Sequence, residues 1–152
     1  MNNGSHLQDR DEARSGQAWR LLFAAWSIAL AATLGALFIG EVMGQRPCTL
    51  CWHQRAFMFP LAIVLAVACF RSDPQAWRYA LPLAGIGWLL SGYHNLLYTG
   101  VIPEPTTPCD STIPCSGAGM TLWGYLPIPL LSFASFSAIA LLLVAVYRKN
   151  IP

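Results

Sequence analysis

Four of the five cysteines in this 152-residue chain fall in two close pairs, Cys48 with Cys51 and Cys109 with Cys115. The first pair belongs to the stretch Pro47, Cys48, Thr49, Leu50, Cys51, Trp52, His53, Gln54, Arg55. Two thiols at the C-x-x-C spacing can close a small, readily reversed disulfide. An arginine four residues behind the second cysteine shares its face of a helix, so the Arg55 cation favours a thiolate on Cys51.

Paired cysteines are compatible with structural staples, a metal site or a redox relay. Closing loops of about four and seven residues constrains the unfolded chain by only about 2 kcal/mol each, a small gain for helices held by lipid. Two pairs could offer four sulfurs to zinc, and C-x-x-C is a common half of such sites. The second pair, however, is C-x5-C with a proline before each cysteine, outside the usual half-site spacing, so no metal is expected. In a relay, one disulfide is reduced by a partner and re-formed by the other pair. The fifth cysteine, Cys69, lies in an apolar run and reads as a buried structural thiol.

The elements that must position these thiols are membrane helices. Hydrophobic residues make up 55% of the chain and charged residues only 11%, and the mean hydropathy is +0.48; such a chain has lipid as its solvent. The net charge is +2 and the basic residues form no run interleaved with aromatics, which argues against nucleic acid as a partner. Residues 1–18 are polar and read as a mobile cytoplasmic tail. Residues 19–149 read as one domain with spans at about 21–43, 48–70, 79–99 and 126–147, and an extracytoplasmic cysteine loop over 101–124.

The segment from Leu21 to Gly40 contains no charge and is too long for a signal-peptide core, so it is expected to stay as an anchor. Ala31, Gly35, Gly40 and Gly44 predict the close approach of another helix. Pro47 suits the first turn of the second span, placing the C-x-x-C where free backbone N–H groups favour a thiolate. Pro60 is expected to kink that span. Gly85, Gly87 and Gly92 predict tight packing of the third, and Pro127 and Pro129 fall in the first turn of the fourth. Met120, Leu122, Trp123 and Tyr125 suit the membrane interface.

Orientation follows from the basic residues. Of nine Lys and Arg, seven (Arg10, Arg14, Arg20, Arg71, Arg78, Arg148 and Lys149) fall on one side of this topology, leaving Arg46 and Arg55 for the other. The richer side is the cytoplasm. The fold class predicted is therefore all-α, a polytopic membrane four-helix bundle with both termini cytoplasmic and both cysteine pairs outside, where disulfides persist.

Within that frame Cys48 is the outer sulfur, reachable from the 101–124 loop, and Cys51 faces the membrane. Electrons arriving at Cys51 need a lipid-soluble acceptor, and the chain has no haem motif, flavin fingerprint or metal-ligand cluster. A quinone is the inference, with Arg55 hydrogen bonding a ring carbonyl as negative charge builds there. The alternative for Arg55 is an interfacial arginine reaching toward water.

The sequence CTLCWHQR at 48–55, four spans and an outer cysteine pair between the third and fourth resemble the disulfide bond formation protein B (DsbB) family over about residues 20–147. The compact Cys109 to Cys115 loop, YHNLL at 93–97 and WGYLPIPLLS at 123–132 are closer to its short-loop BdbC type. The resemblance implies that a DsbA-like thioredoxin-fold oxidase is reoxidised and that electrons pass to the membrane quinone pool, ubiquinone or menaquinone, an established scheme for keeping a periplasm oxidising. It further implies that Cys109 forms the mixed disulfide with the partner, that Cys115 exchanges with Cys48, and that Cys51 contacts the quinone beside Arg55. The loop pair is spaced more closely here than in the longer-loop type, so the separate roles of Cys109 and Cys115 carry over least directly.

Lesser candidates complete the site. His94, near the outer end of the third span, could touch the quinone or move its protons, or be an interfacial histidine with a backbone partner. Trp52 could stack on the ring or belong to the aromatic belt. His53 is expected to face headgroups, and Glu41 to be an interface residue. The chain is thus expected to be a thiol:quinone oxidoreductase of the bacterial cytoplasmic membrane. The competitors are a vitamin K epoxide reductase-like protein, disfavoured because its loop pair precedes its C-x-x-C, and a non-enzymatic scaffold with structural or zinc-binding cysteines.

Overall fold

In a computed structural model the described residues are 3–102, 121–122 and 126–150, with side chains omitted for 3–11, 13 and 150. They form four long helices: α1 (Asn3–Leu37), α2 (Thr49–Arg71), α3 (Trp77–Tyr98) and α4 (Ile128–Asn150). A two-residue antiparallel ladder, β1 (Thr121–Leu122) with β2 (Leu126–Pro127), precedes α4. The polar segment read as a tail is helical from Asn3 onward, because α1 continues back through it without a break.

The segments Arg14–Val42, Thr49–Arg71 and Ile128–Lys149 are long and apolar enough to cross a membrane. Helix α3, 22 residues against 23 for α2 and α4, is not among these segments; its sequence carries Ser91, His94 and Asn95 besides its glycines. Ser91 and His94 are buried, so the polarity of α3 is turned into the bundle. Phe70, Leu141, Val42 and Ile63, at 86%, 71%, 68% and 66% exposure, form an outer apolar surface of the kind lipid covers.

Each helix packs against its neighbours in the chain, and α1 against α4 closes the ring. The core holds Leu22, Ala25 and Ala29 of α1, Met58, Leu61 and Leu65 of α2, Ala80 and Ala84 of α3, and Phe136, Ile139 and Leu143 of α4. The ends that carry most of the basic residues meet: Trp19 Nε1 donates to Cys69 O at 3.2 Å, Lys149 Nζ donates to Gln17 Oε1, and Trp77 stacks edge-on against Tyr147. Cys69 is half-buried there, not enclosed in the core as its apolar surroundings in sequence suggested.

Helix α3 is joined to α4 by size complementarity and by hydrogen bonds. Trp88 Nε1 donates to Ser137 Oγ at 2.9 Å, and Asn95 Nδ2 donates to Pro129 O at 2.9 Å, engaging a carbonyl at the start of α4. Pro127 lies in β2, so α4 starts one residue after it and only Pro129 occupies the first turn. A Cβ on Gly87 would stand 2.1 Å from the Phe136 ring. Gly87→Ala is therefore expected to destabilise the bundle by about 1–3 kcal/mol, since the ring must shift or the helices part. A lowered thermal midpoint in detergent would show it, whereas Gly85→Ala, with nothing within 4 Å of the added Cβ, should hold or slightly raise the midpoint.

The stripe of Ala31, Gly35 and Gly40 does not serve close helix contact as expected. Gly35 has nothing within 4 Å, and Ala31 and Gly35 border a cavity. A Cβ on Gly40 would lie 3.2 Å from the Arg55 guanidinium. The small residues make room for the site.

Candidate functional site

The chain between α1 and α2 turns at Gly44, whose φ of +67° is a left-handed conformation that favours glycine. It then runs through Pro47 into Cys48, which is the N-cap of α2 and not its first turn. Cys48 Sγ accepts the N–H of Cys51 at 3.3 Å, as a capping oxygen would, and the helix begins at Thr49. Helix geometry then brings the two sulfurs to 3.0 Å. The C-x-x-C is thus fixed by the cap itself.

Cys48 is buried, in a small cluster with Leu50 and Leu97 against which Tyr93, Tyr98 and Ile102 pack. His94 Nε2 stands 4.0 Å from its sulfur, and His94 Nδ1 is 3.1 Å from Gln54 Nε2. The Cys51 thiol beside Cys48 holds the Cys48 thiol well below the usual thiol range; burial opposes this, and His94 and the Cys51 N–H add to it. The donors that stabilise a thiolate converge on Cys48, whereas the sequence pattern of Cys51 with Arg55 favoured Cys51. The sign of the consequence is simple: a depressed thiol is ionised at neutral pH and is protonated only as pH falls through its lowered midpoint. In the reduced protein, thiolate ultraviolet absorbance is expected to persist well below pH 8, where an ordinary cysteine titrates at about 8.5.

On the other side of the pair lies a cavity of about 450 Å³ between α1, α2 and α4, bordered by both cysteines. Its walls are mostly apolar, with Ile28, Ile39, Met58, Phe59 and Leu131 among them, and Leu122 borders it as well. The polar groups at its edge are few: Gln45, Arg46, Gln54, Arg55, Ser132 and Ser135. Gln45 Oε1 is buried with no hydrogen-bond partner among the described residues. Such a volume with few, separated polar groups suits a ring-bearing organic ligand.

Arg55 is half-buried and its Nη2 donates to Ala36 O at 2.7 Å, just before the π-helical turn Phe38–Val42 that ends the first span. Its guanidinium lies 5.6 Å from the centre of the Trp52 ring. Arg55 is thus tied to α1 and faces the cavity, and does not reach freely to water. Trp52 is exposed and lies outside the cavity lining, as does His94, which stands behind Cys48 on α3. His53 is exposed with Nδ1 on Thr49 O at 2.8 Å, and Glu41 is exposed in the π turn. Cys109, Cys115, Met120, Trp123 and Tyr125 lie outside the described residues.

Cys48, Cys51 and His94 have their donor atoms within 4.8 Å of one another and could offer three metal ligands. Two thiolates on one tetrahedral zinc, with Zn–S bonds of about 2.3 Å, stand roughly 3.8 Å apart. The sulfurs here, at 3.0 Å, are closer than that, and the pair is better suited to thiol chemistry.

The comparisons with known proteins bear on the same residues. A family model described as "Disulfide bond formation protein DsbB" matches residues 17–147. The chain belongs to the DsbB family. Among its relatives, a "Probable disulfide formation protein" of Metapseudomonas resinovorans is 58% identical over 139 residues, covering 91% of this chain and 96% of the relative. "Disulfide bond formation protein C" of Bacillus subtilis (strain 168) is 39% identical over 115 residues, covering 76% of this chain and 83% of the relative. A further "Probable disulfide formation protein", from Deinococcus radiodurans, is 40% identical over 130 residues, covering 80% of this chain and 85% of its own. No solved structure matches the chain. As a DsbB family member with three helices able to span a bilayer, this is a multi-pass membrane protein of disulfide formation.

Two features of the candidate site were not legible as chemistry in the sequence. Gln54 lay inside the quoted motif but carried no role; a polar residue within an otherwise apolar span is the signal that marks it. Gln45 lay in a short polar connection, where glutamine is unremarked.

Proposed function

We propose that this DsbB family member is a thiol:quinone oxidoreductase that reoxidises an extracytoplasmic thioredoxin-fold dithiol oxidase and passes the electrons to membrane quinone. The observation that carries the reading is the placement of one cysteine pair between two environments. Cys48 is packed against α3, and both cysteines border the apolar cavity with Arg55 on its wall.

The cavity fits a quinone ring in size and in donor set. Arg55 would donate to one ring oxygen, and Gln45 Oε1, without a hydrogen-bond partner among the described residues, could accept from a hydroxyl of the reduced ring. When bound, a quinone accepts the two electrons and two protons that a dithiol releases on closing to a disulfide. The chain's own part is to hold Cys48 and Cys51 within bonding reach, to keep water from the pair by burying it, and to aim positive charge at the acceptor. Cys109 and Cys115 would carry electrons from the partner to Cys48.

The inner-membrane placement and the orientation, with both termini cytoplasmic, rest on the arginine and lysine distribution. The third span is α3, whose polar face is turned inward against Cys48. Purified protein in quinone-containing liposomes should oxidise a reduced thioredoxin-fold dithiol only when quinone is present. Equal rates with and without quinone would overturn the proposal.

A further inference from the structure

Deep beside the cysteine pair is a buried polar group that the relay as stated does not use. Gln54 on α2 is 6% exposed and His94 on α3 is fully buried. The Gln54 amide meets His94 Nδ1 at 3.1 Å, and the opposite ring nitrogen, Nε2, is 4.0 Å from Cys48 Sγ. Burying two such side chains in a lipid-embedded bundle is costly unless they are hydrogen-bonded. An imidazole held at one nitrogen directs the other, so the amide fixes which way the ring presents its N–H.

We propose that Gln54 is a positioning residue that holds His94 Nε2 toward Cys48 Sγ, so that Cys48 is the sulfur released as thiolate during disulfide exchange. This rests on the relay reading and deepens it. In the step concerned, a thiolate attacks the sulfur joined to Cys48 in a mixed disulfide. A new S–S bond forms on the attacker, the old one breaks, and its electron pair goes to Cys48 Sγ, with no net change in oxidation state. His94 Nε2–H then hydrogen bonds the departing sulfur, and a better stabilised thiolate leaves faster. The sulfurs thereby divide the work: Cys48, backed by His94, serves exchange, and Cys51 serves the acceptor side.

Other titratable or charged groups near this chain of contacts, among the described residues, are Cys51 on α2, Tyr93 and Tyr98 on α3, and Arg46 and Arg55 at the cavity. Their presence makes a variant series more informative than one titration. In full-length protein carrying Cys51→Ser, Cys69→Ser, Cys109→Ser and Cys115→Ser, Cys48 is the remaining thiol and its thiolate absorbance can be followed against pH. Gln54→Leu, similar in size but unable to hydrogen bond, should raise the midpoint by about one pH unit or more. Gln54→Glu, whose carboxylate favours a doubly protonated imidazolium that keeps an N–H on Nε2 toward Cys48, should hold it at or below the parent value.

Space-filling by Gln54 predicts the reverse order, with leucine tolerated and the buried carboxylate damaging. A midpoint unmoved by Gln54→Leu, or raised as far by Gln54→Glu, would overturn the proposal. Should either variant fail to fold, as judged by lost helical circular dichroism, His94→Gln must raise the midpoint instead. With the other cysteines intact, Gln54→Leu should slow dithiol oxidation at saturating quinone roughly threefold to tenfold, a rate read apart from quinone affinity because Gln54 also borders the cavity. Failure of the relay itself would appear separately, as absent quinone-dependent turnover in the unsubstituted chain, with the Cys48 titration unaffected.

Discussion

Cys51→Ser is expected to reduce quinone-dependent oxidation of a dithiol substrate to background, as large a loss as any single substitution can produce. Serine can keep the hydrogen bond to Cys48, which lies 3.0 Å away sulfur to sulfur, but it cannot close or reopen a disulfide. The relay would stop with Cys48 as a single thiol, able to form a mixed disulfide and unable to discharge it. Non-reducing electrophoresis after acid trapping should therefore show a Cys48-linked species accumulating while quinone remains oxidised. Turnover close to the parent rate in this variant would eliminate the pair as the redox centre and revive the reading of structural cysteines.

Arg55→Ala is expected to raise the apparent KM for quinone about tenfold or more while leaving the helical content intact. A hydrogen bond from a charged group contributes about 1.5–3 kcal/mol, and 1.4 kcal/mol corresponds to a tenfold change in affinity. The fold should tolerate the change at a cost of about 1 kcal/mol, because among the described residues the hydrogen bond that alanine removes from the bundle is the one to Ala36 O at 2.7 Å. Arg55→Lys keeps the charge without the planar fork, so it should fall between the two. Quinone titrations of the steady-state rate separate these outcomes, and an unchanged KM in Arg55→Ala would remove the arginine from the acceptor site.

Much of the site was legible because the relevant spacing is short. Cys48, Cys51 and Arg55 lie within two turns of one helix, and local geometry alone decides that the cysteines approach and that the arginine follows the second of them. The helical segments were legible for a similar reason: uninterrupted apolar runs of bilayer length admit few other structures. Pro60, expected to kink the second span, lies inside α2, which runs through it from Thr49 to Arg71. What the sequence pattern misjudged was the use of small residues. Ala31, Gly35 and Gly40 look the same whether they admit a helix, a ligand or a guanidinium; which one occupies the space depends on the neighbours.

The tertiary structure also reversed the electrostatic emphasis within the pair. The local pattern offered Cys51 a cation, but the fold adds His94 from α3, forty-six positions along the chain, to Cys48. It likewise took His94 and Trp52 away from the cavity, one behind the outer sulfur and the other outward under Arg55. The close cysteine pair, its arginine and the membrane-spanning character were set by the sequence itself, because they depend on composition and on contacts within one or two helical turns. The cavity and the partner of each sulfur were decided only when four helices packed, because side chains remote in sequence meet only through the bundle.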